Sequence, residues 1–275
     1  MTNLLQKYNL RPKKGLGQNF LTDPNHLRKI IAAADLTPAD TVLEIGPGLG
    51  ALTVPLTAAA RAVVSVEVDA DMVRVLRAEI SAPNFWLVQA DILSVEPAAV
   101  LADNLPDFSP GDDYVVVANV PYYITSGIIR HLLEAEFPPR RTVLTIQKEV
   151  AQRIIAKPGK MSVLAVSVQF YGSPTMCHTI PASAFTPAPN VDSAVLRIDR
   201  HPSPPVPVDD PRAFFRVVKA GFSQKRKQLK NALSAGLHRP QSEIAALLES
   251  VGIDPRRRAE TLSLDEWGLL TNILK

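Results

Sequence analysis

A series of short, Val-rich apolar runs separated by helix-like segments constrains the fold more than any other feature of this chain. The runs are TVLEI (41–45), AVVSVEV (62–68), FWLVQA (85–90), YVVVANV (114–120), TVLTIQ (142–147), MSVLAVSVQFY (161–171) and SAVLRI (193–198). Many are continuous rather than alternating, which is how strands read when both faces are covered. Between them, Asp23 and Pro24 form a cap and first-turn pair ahead of Leu27, Ile30, Ile31 and Ala34 at helical spacing. Segments 69–80 and 124–136 are also helix-like. This alternation predicts an α/β fold, a mostly parallel sheet with helices on both sides.

Past residue 200 the pattern changes. HPSPPVPVDDP (201–211) carries prolines at 202, 204, 205, 207 and 211, which disfavour helix and sheet interiors, and it reads as a stiff linker. Helical spacing then runs over 212–222, 225–236, 242–250 and 263–274. The expected organisation is one domain over 1–200, a Pro-rich linker over 201–211 and a small all-α domain over 212–275. Hydrophobic residues at 46% allow a sizeable core. Cys177 is the single cysteine, so an internal disulfide is excluded and a reducing cytoplasm fits. No apolar run approaches the length of a membrane span, and the first twenty residues lack a signal core. His26, His131, His178, His201 and His238 show no ligand-like spacing, so no metal site is expected.

The strongest local signal is VLEIGPGLGALT (42–53), a strand running into Gly46, Gly48 and Gly50 before a helix. Glycines let the backbone turn sharply and approach a ligand closely. Glu67 ends the next strand, where a carboxylate can accept both ribose hydroxyls of an adenosine. NAD-binding folds use a similar loop and acid. Two features favour S-adenosylmethionine (SAM) instead: the glycines follow GxGxG, and Glu44 sits where it could act through water on a cationic amino-acid group. Asp91, in QADIL (89–93), can accept the amine of the cofactor's adenine or simply cap a turn.

NVPYY (119–123) ends the fourth strand. The amine of adenine is a poor nucleophile because its lone pair is delocalised into the ring. Two acceptors on its hydrogens, the Asn119 side-chain oxygen and the Val120 carbonyl, would favour a localised lone pair, with Pro121 fixing their direction. Tyr122 can stack on a base that has left its helix. Phe185, held by Pro187 and Pro189, reads equally as a second aromatic wall or as a core residue.

The formal net charge is only +3, but cations cluster. Lys13 and Lys14 lie near the start, and Arg216, Lys219, Lys225, Arg226, Lys227 and Lys230 fall in one stretch, a pattern suited to a nucleic acid. The triplet Arg256 to Arg258 reads rather as a solvated face.

Taken together, these motifs resemble the ribosomal RNA adenine dimethyltransferases of the small-subunit type over nearly the whole chain. KKGLGQNFL (13–21), EIGPGLGALT (44–53), Glu67, QADIL, NVPYY, FTPAPNVDSAVL (185–196), FFRVVKAGFSQKRKQLKNAL (214–233) and RAETLSLDEW (258–267) carry the resemblance. Val120 stands where Leu is more usual, and QAD lacks the frequent Gly-Asp pairing. The resemblance implies a Rossmann-like methyltransferase domain with a final antiparallel strand, then a helical domain. It implies SAM as cofactor, held by Asn19, Leu21, Gly46, Glu67, Asp91 and Asn119 with Gln18 close by. It also implies dimethylation of two adjacent adenosines near the 3′ end of 16S rRNA, in a 30S subunit or its precursor. Neither a dimer nor a membrane partner is called for. The rival readings are a large-subunit rRNA methyltransferase of the resistance type, an RNA-binding assembly factor and an NAD-dependent enzyme.

Overall fold

The computed structural model describes residues 2–274. It divides into two compact units, one of Met1–Ala151 with Thr175–Arg200 and the other of Gln152–Pro174 with His201–Lys275. The strands are β1 (Phe20–Leu21), β2 (Thr41–Ile45), β3 (Ala62–Glu67), β4 (Phe85–Gln89), β5 (Val115–Asn119), β6 (Arg141–Gln147), β7 (Gly172–Ile180), β8 (Phe185–Thr186) and β9 (Ser193–Arg200). Seven of them form one sheet in the order β4-β3-β2-β5-β6-β9-β7, while β1 and β8 pair antiparallel on their own. From β4 to β6 the ladder is parallel; β9 then runs antiparallel to β6, from Arg141↔Asp199 to Gln147↔Ser193. The final antiparallel strand is thus present.

Helix α1 (Thr2–Lys7) precedes the strands, and α2 (Pro24–Ala34), α3 (Thr53–Ala59), α4 (Ala70–Glu79), α5 (Pro97–Asn104), α6 (Thr125–Leu133) and α7 (Lys148–Ile154) lie between them. Every residue of β2 and β3 is buried, which explains their unbroken apolar runs. The cap at α2 is as expected: the Asp23 carboxylate accepts from the Asn25 N–H, with Pro24 opening the helix. One apolar cluster joins Ile30 and Ala34 of α2 to Val42, Val63, Val115 and Val143 on the sheet.

The second unit contains α8 (Val163–Tyr171), α9 (Pro211–Phe222), α10 (Leu229–Leu237), α11 (Gln241–Ser250) and α12 (Leu264–Ile273). Its core gathers Phe170, Phe214, Val218, Leu233, Leu248 and Trp267. Three expectations change here. MSVLAVSVQFY is a helix, not a strand. An apolar run of this length is ambiguous by periodicity, and Ser162 decides it by capping Ala165 N–H. Residues 152–174 belong with the C-terminal helices, because Met161, Ala165, Val166 and Phe170 complete their core. The Pro-rich segment has no helix before Pro211, yet Val206 is buried in the same core, so 201–211 is part of the second unit rather than a linker to it. Strand β7 went unread because its alternate residues are exposed and Ser173, Thr175 and His178 carry no apolar signature. Among the described residues no helix is long and apolar enough to cross a membrane.

Helices α9 and α10 approach closely at Gly236, where an added Cβ would lie 2.6 Å from the Ala220 Cβ and 2.7 Å from its Cα. Gly236→Ala gains up to about 1 kcal/mol in helix propensity. Overpacking against backbone outweighs this, at about 1–3 kcal/mol. The variant should unfold at lower denaturant than the parent; an unchanged or higher midpoint contradicts this packing.

Candidate active site

Strand order reverses at β2, with β3 and β4 on one side and β5 and β6 on the other. In such sheets a crevice opens at the carboxyl ends of the strands, where neighbouring loops diverge. Here the loops after β2, β3, β4 and β5 line one cleft together with residues 16–21 and Phe185. Gln18, Asn19, Leu21, Glu44, Gly46, Gly48, Glu67, Asp91, Asn119, Val120, Pro121, Tyr122 and Phe185 all face it. Gly50 and the basic residues lie elsewhere, Lys225, Arg226, Lys227 and Lys230 in the second unit.

Gly46 and Gly48 adopt φ 65° and 57°. A Cβ on Gly46 would project into open space, whereas one on Gly48 would come within 3.1 Å of the Phe20 ring. Gly46 therefore keeps the cleft wall bare, and Gly48 lets Phe20 lie against the loop.

Two carboxylates sit behind that loop. Glu44 is 0% exposed. Its Oε2 accepts from Thr53 Oγ1 at 2.7 Å and Ser65 Oγ at 2.6 Å, while its buried Oε1 has no partner among the described residues. Burial pushes this carboxyl up to about 7, against the pull of the Ser65 and Thr53 bonds; the Glu67 charge adds to the rise. Glu67 accepts from Gly48 N–H at 3.1 Å and Asp69 N–H at 2.9 Å, so it fixes the glycine loop. Burial raises its pKa too, and those backbone bonds oppose the shift. Asp91 lines the cleft and also caps the turn at Ile92–Ser94 by accepting from Leu93 N–H.

The segment ahead of Phe20 is latched to α4. Gln18 donates to Asp69 Oδ2 at 2.8 Å and accepts from Lys13 N–H at 2.9 Å. The Lys13 ammonium pairs with Asp69 at 2.6 Å and Asp71 at 2.8 Å. Lys13 and Lys14 are both exposed, and Lys13 is paired with carboxylates of its own chain. Asp69, missed in the sequence, was visible only as the N-cap of α4.

At the end of β5, the Asn119 Nδ2 donates to the Asn19 carbonyl at 3.1 Å. With the donor held there, the amide oxygen is the group left to accept from a ligand. Tyr122 shares a 2.6 Å hydrogen bond with Ser193 Oγ. Burial raises the Tyr122 pKa; the Ser193 bond pulls it down and the Asp192 charge adds to the rise. Phe185 pairs with Leu21 through β8 and β1 and is 3% exposed. It belongs to the apolar cluster and also lines the cleft.

In the second unit, Lys225, Arg226 and Lys227 are exposed on the turn between α9 and α10. The helix expected over 225–236 starts only at Leu229, whose N–H donates to the Arg257 carbonyl at 2.6 Å. Three adjacent like charges disfavour a helical first turn, where the helix dipole already carries positive charge. The Arg triplet is internally paired: Arg256 with Asp254, Arg257 with Glu266 and Arg258 with Glu260.

A carboxyl whose folded pKa, about 7, exceeds its usual 4.5 binds protons more tightly when folded. Its contribution to stability is complete below 4.5 and is lost as pH rises through 7. Relative to Glu44→Gln, the parent should therefore lose on the order of 3 kcal/mol across that window. Denaturant unfolding of both ligand-free proteins at stepped pH checks this; a pH-independent difference contradicts it.

The sequence model of the ribosomal RNA adenine dimethylase family matches residues 9–275. Ribosomal RNA small subunit methyltransferase A of Dehalococcoides mccartyi (strain ATCC BAA-2266 / KCTC 15142 / 195) is 44% identical over 268 residues, spanning 97% of this chain and 90% of that protein. The protein of the same name from Geobacillus kaustophilus (strain HTA426) is 44% identical over 277 residues, 98% and 94% of the two chains. Among solved structures, the 23S rRNA methyltransferase ErmE superposes with a TM-score of 0.74 at 29% identity, over 93% of this chain and 99% of that one. A dimethyladenosine transferase from Plasmodium falciparum superposes with a TM-score of 0.75 at 25% identity, over 91% and 95%. On the length of the family match and the identity to these relatives, the chain belongs to the ribosomal RNA adenine dimethylase family.

Proposed function

We propose that this protein dimethylates the exocyclic amines of two adjacent adenosines near the 3′ end of 16S rRNA, using SAM. It acts as a monomer, in the cytoplasm, on a 30S subunit or its precursor. The observation that carries the reading is the Asn119 amide, whose donor end is held by Asn19 so that its oxygen remains for the target amine. The choice of the small subunit rests on relatives of that name at 44% identity, against 29% for ErmE.

The cleft suits SAM. A buried carboxylate oxygen of Glu44 without a partner fits a cationic ligand, and the bare wall at Gly46 leaves room for it. Glu44 would balance the positive amino-acid end, through water. Each Glu67 oxygen accepts one backbone bond and retains capacity for a ribose hydroxyl. Asp91 would accept the adenine amine, beside Asn19, Leu21 and Gln18 on the wall of the cleft. When bound, SAM supplies a methyl group already activated on a sulfonium.

The chain's own residues then supply alignment. Asn119 Oδ1 and the Val120 carbonyl accept from the target amine and localise its lone pair. Pro121 holds those acceptors in direction. Tyr122 stacks on the extruded base, and Phe185 backs the opposite wall. The neutral Tyr122 phenol is held by Ser193 and takes no proton, so the amine's proton leaves to solvent. Lys14, Lys225, Arg226, Lys227 and Lys230 meet RNA phosphates. Lys13 contributes through its latch on Asp69.

Mass spectrometry of RNA from unmethylated 30S and 50S particles treated with protein and SAM tests the substrate. Two dimethyladenosines in 16S rRNA are expected, and label confined to 23S rRNA overturns the assignment. Asn119→Ala should lower methyl transfer by about a hundredfold or more with binding to the subunit intact. Replacing Arg226 and Lys227 together with Ala should flatten the salt dependence of particle binding by about two units of slope; an unaltered slope removes them from the RNA contact.

A further inference from the structure

Ser193 is remote from the cleft loop in sequence and does not line the cleft. It is 0% exposed, at the first position of β9, where it pairs with Gln147 of β6. Its hydroxyl lies 2.6 Å from the Tyr122 hydroxyl. The preceding residue is tied down twice. The Asp192 carbonyl accepts from Lys148 N–H at 3.0 Å, and its carboxylate accepts from Ala182 N–H at 3.1 Å. Ala182 opens the short turn Ala182–Ala184 that leads directly into Phe185. Residues 192 and 193 thus connect the end of β6, the approach to Phe185 and the far edge of the Tyr122 ring.

A tyrosine ring on a loop rotates about two side-chain torsions, and a stacking platform must hold one setting. The backbone around Tyr122 fixes where the ring starts, through Pro121 and the turn at Tyr122–Ile124. Among the described residues, the hydrogen bond of the Tyr122 hydroxyl runs to Ser193 and not to that loop. A hydroxyl anchored to a buried, doubly braced strand end fixes where the ring ends, at the edge farthest from the backbone.

We propose that Ser193 is a positioning residue for methyl transfer: it acts through the Tyr122 hydroxyl to hold the ring as a flat platform for the target adenine, and Asp192 braces it. This rests on the functional reading above, in which Tyr122 stacks on the base. Ser193 touches neither SAM nor the base. Its loss therefore blurs base alignment without altering the cofactor pocket.

The test is single-turnover and steady-state methylation of unmethylated 30S particles by the full chain, with SAM affinity measured by calorimetry. Ser193→Ala should lower kcat by roughly tenfold to a hundredfold, with KM and affinity for SAM unchanged. Tyr122→Phe, which leaves Ser193 in place and removes the other end of the bond, should do the same. The double variant should be no worse than either single one, since all three lack one shared interaction. Full activity in Ser193→Ala, multiplied losses in the double variant, or weakened SAM binding in step with lost activity would each overturn the proposal. Absence of methylation by the parent protein would overturn the functional reading and this inference with it.

Discussion

Where the strand order turns back governs everything else in the first unit. Because β2 has β3 on one side and β5 on the other, the connections leaving these strands diverge from one point. A gap opens at the carboxyl ends, and the chain lines it with glycine, carboxylate and amide groups set among apolar side chains. Glu44 ends up buried inside the sheet next to that gap because β2 is covered on both faces. A carboxylate in such a place is costly, and hydroxyls from Thr53 and Ser65 satisfy only one of its oxygens.

The rim is organised by hydrogen bonds that cross the chain. Asp69 collects Lys13 and Gln18, Glu67 holds Gly48, and Asn119 holds the Asn19 carbonyl. One N-terminal segment is therefore fastened to both halves of the switch point, to the β3 side through Asp69 and to the β5 side through Asn119. Phe20 fits between them against Gly48, in a small cluster with Leu49, Met72 and Val75. The consequence is electrostatic and geometric at once: acceptors face inward, and donors are occupied elsewhere.

Much of this was legible in the residues. Val-rich runs announced the parallel strands, and the glycine spacing and Glu67 marked the cleft, because local backbone demands leave a local signature. The amphipathic helices after Pro211 were legible for the same reason. What escaped has no local signature. The run 161–171 has the β-branched content of a strand, and only burial against α9–α12 together with the Ser162 cap makes it helical. Edge strand β7 is too polar to stand out. Lys13 reads as a phosphate contact until Asp69 is brought beside it. Ser193 reads as an ordinary strand residue until Tyr122 meets it across the fold. The last two are pairings across a long stretch of chain, visible only once the sheet has closed.

The Asn119 amide is set with its nitrogen on the Asn19 carbonyl, which leaves its oxygen free for the amine of the proposed reaction. A structure of the protein bound to a non-reactive SAM analogue and an RNA containing the target adenosines tests it most directly. The expected result has Asn119 Oδ1 and the Val120 carbonyl each within hydrogen-bond distance of the adenine amine, that amine facing the donor's sulfur, and Nδ2 still donating to Asn19. An amide rotated to present Nδ2 to the base, or a base seated away from these two oxygens, would contradict it.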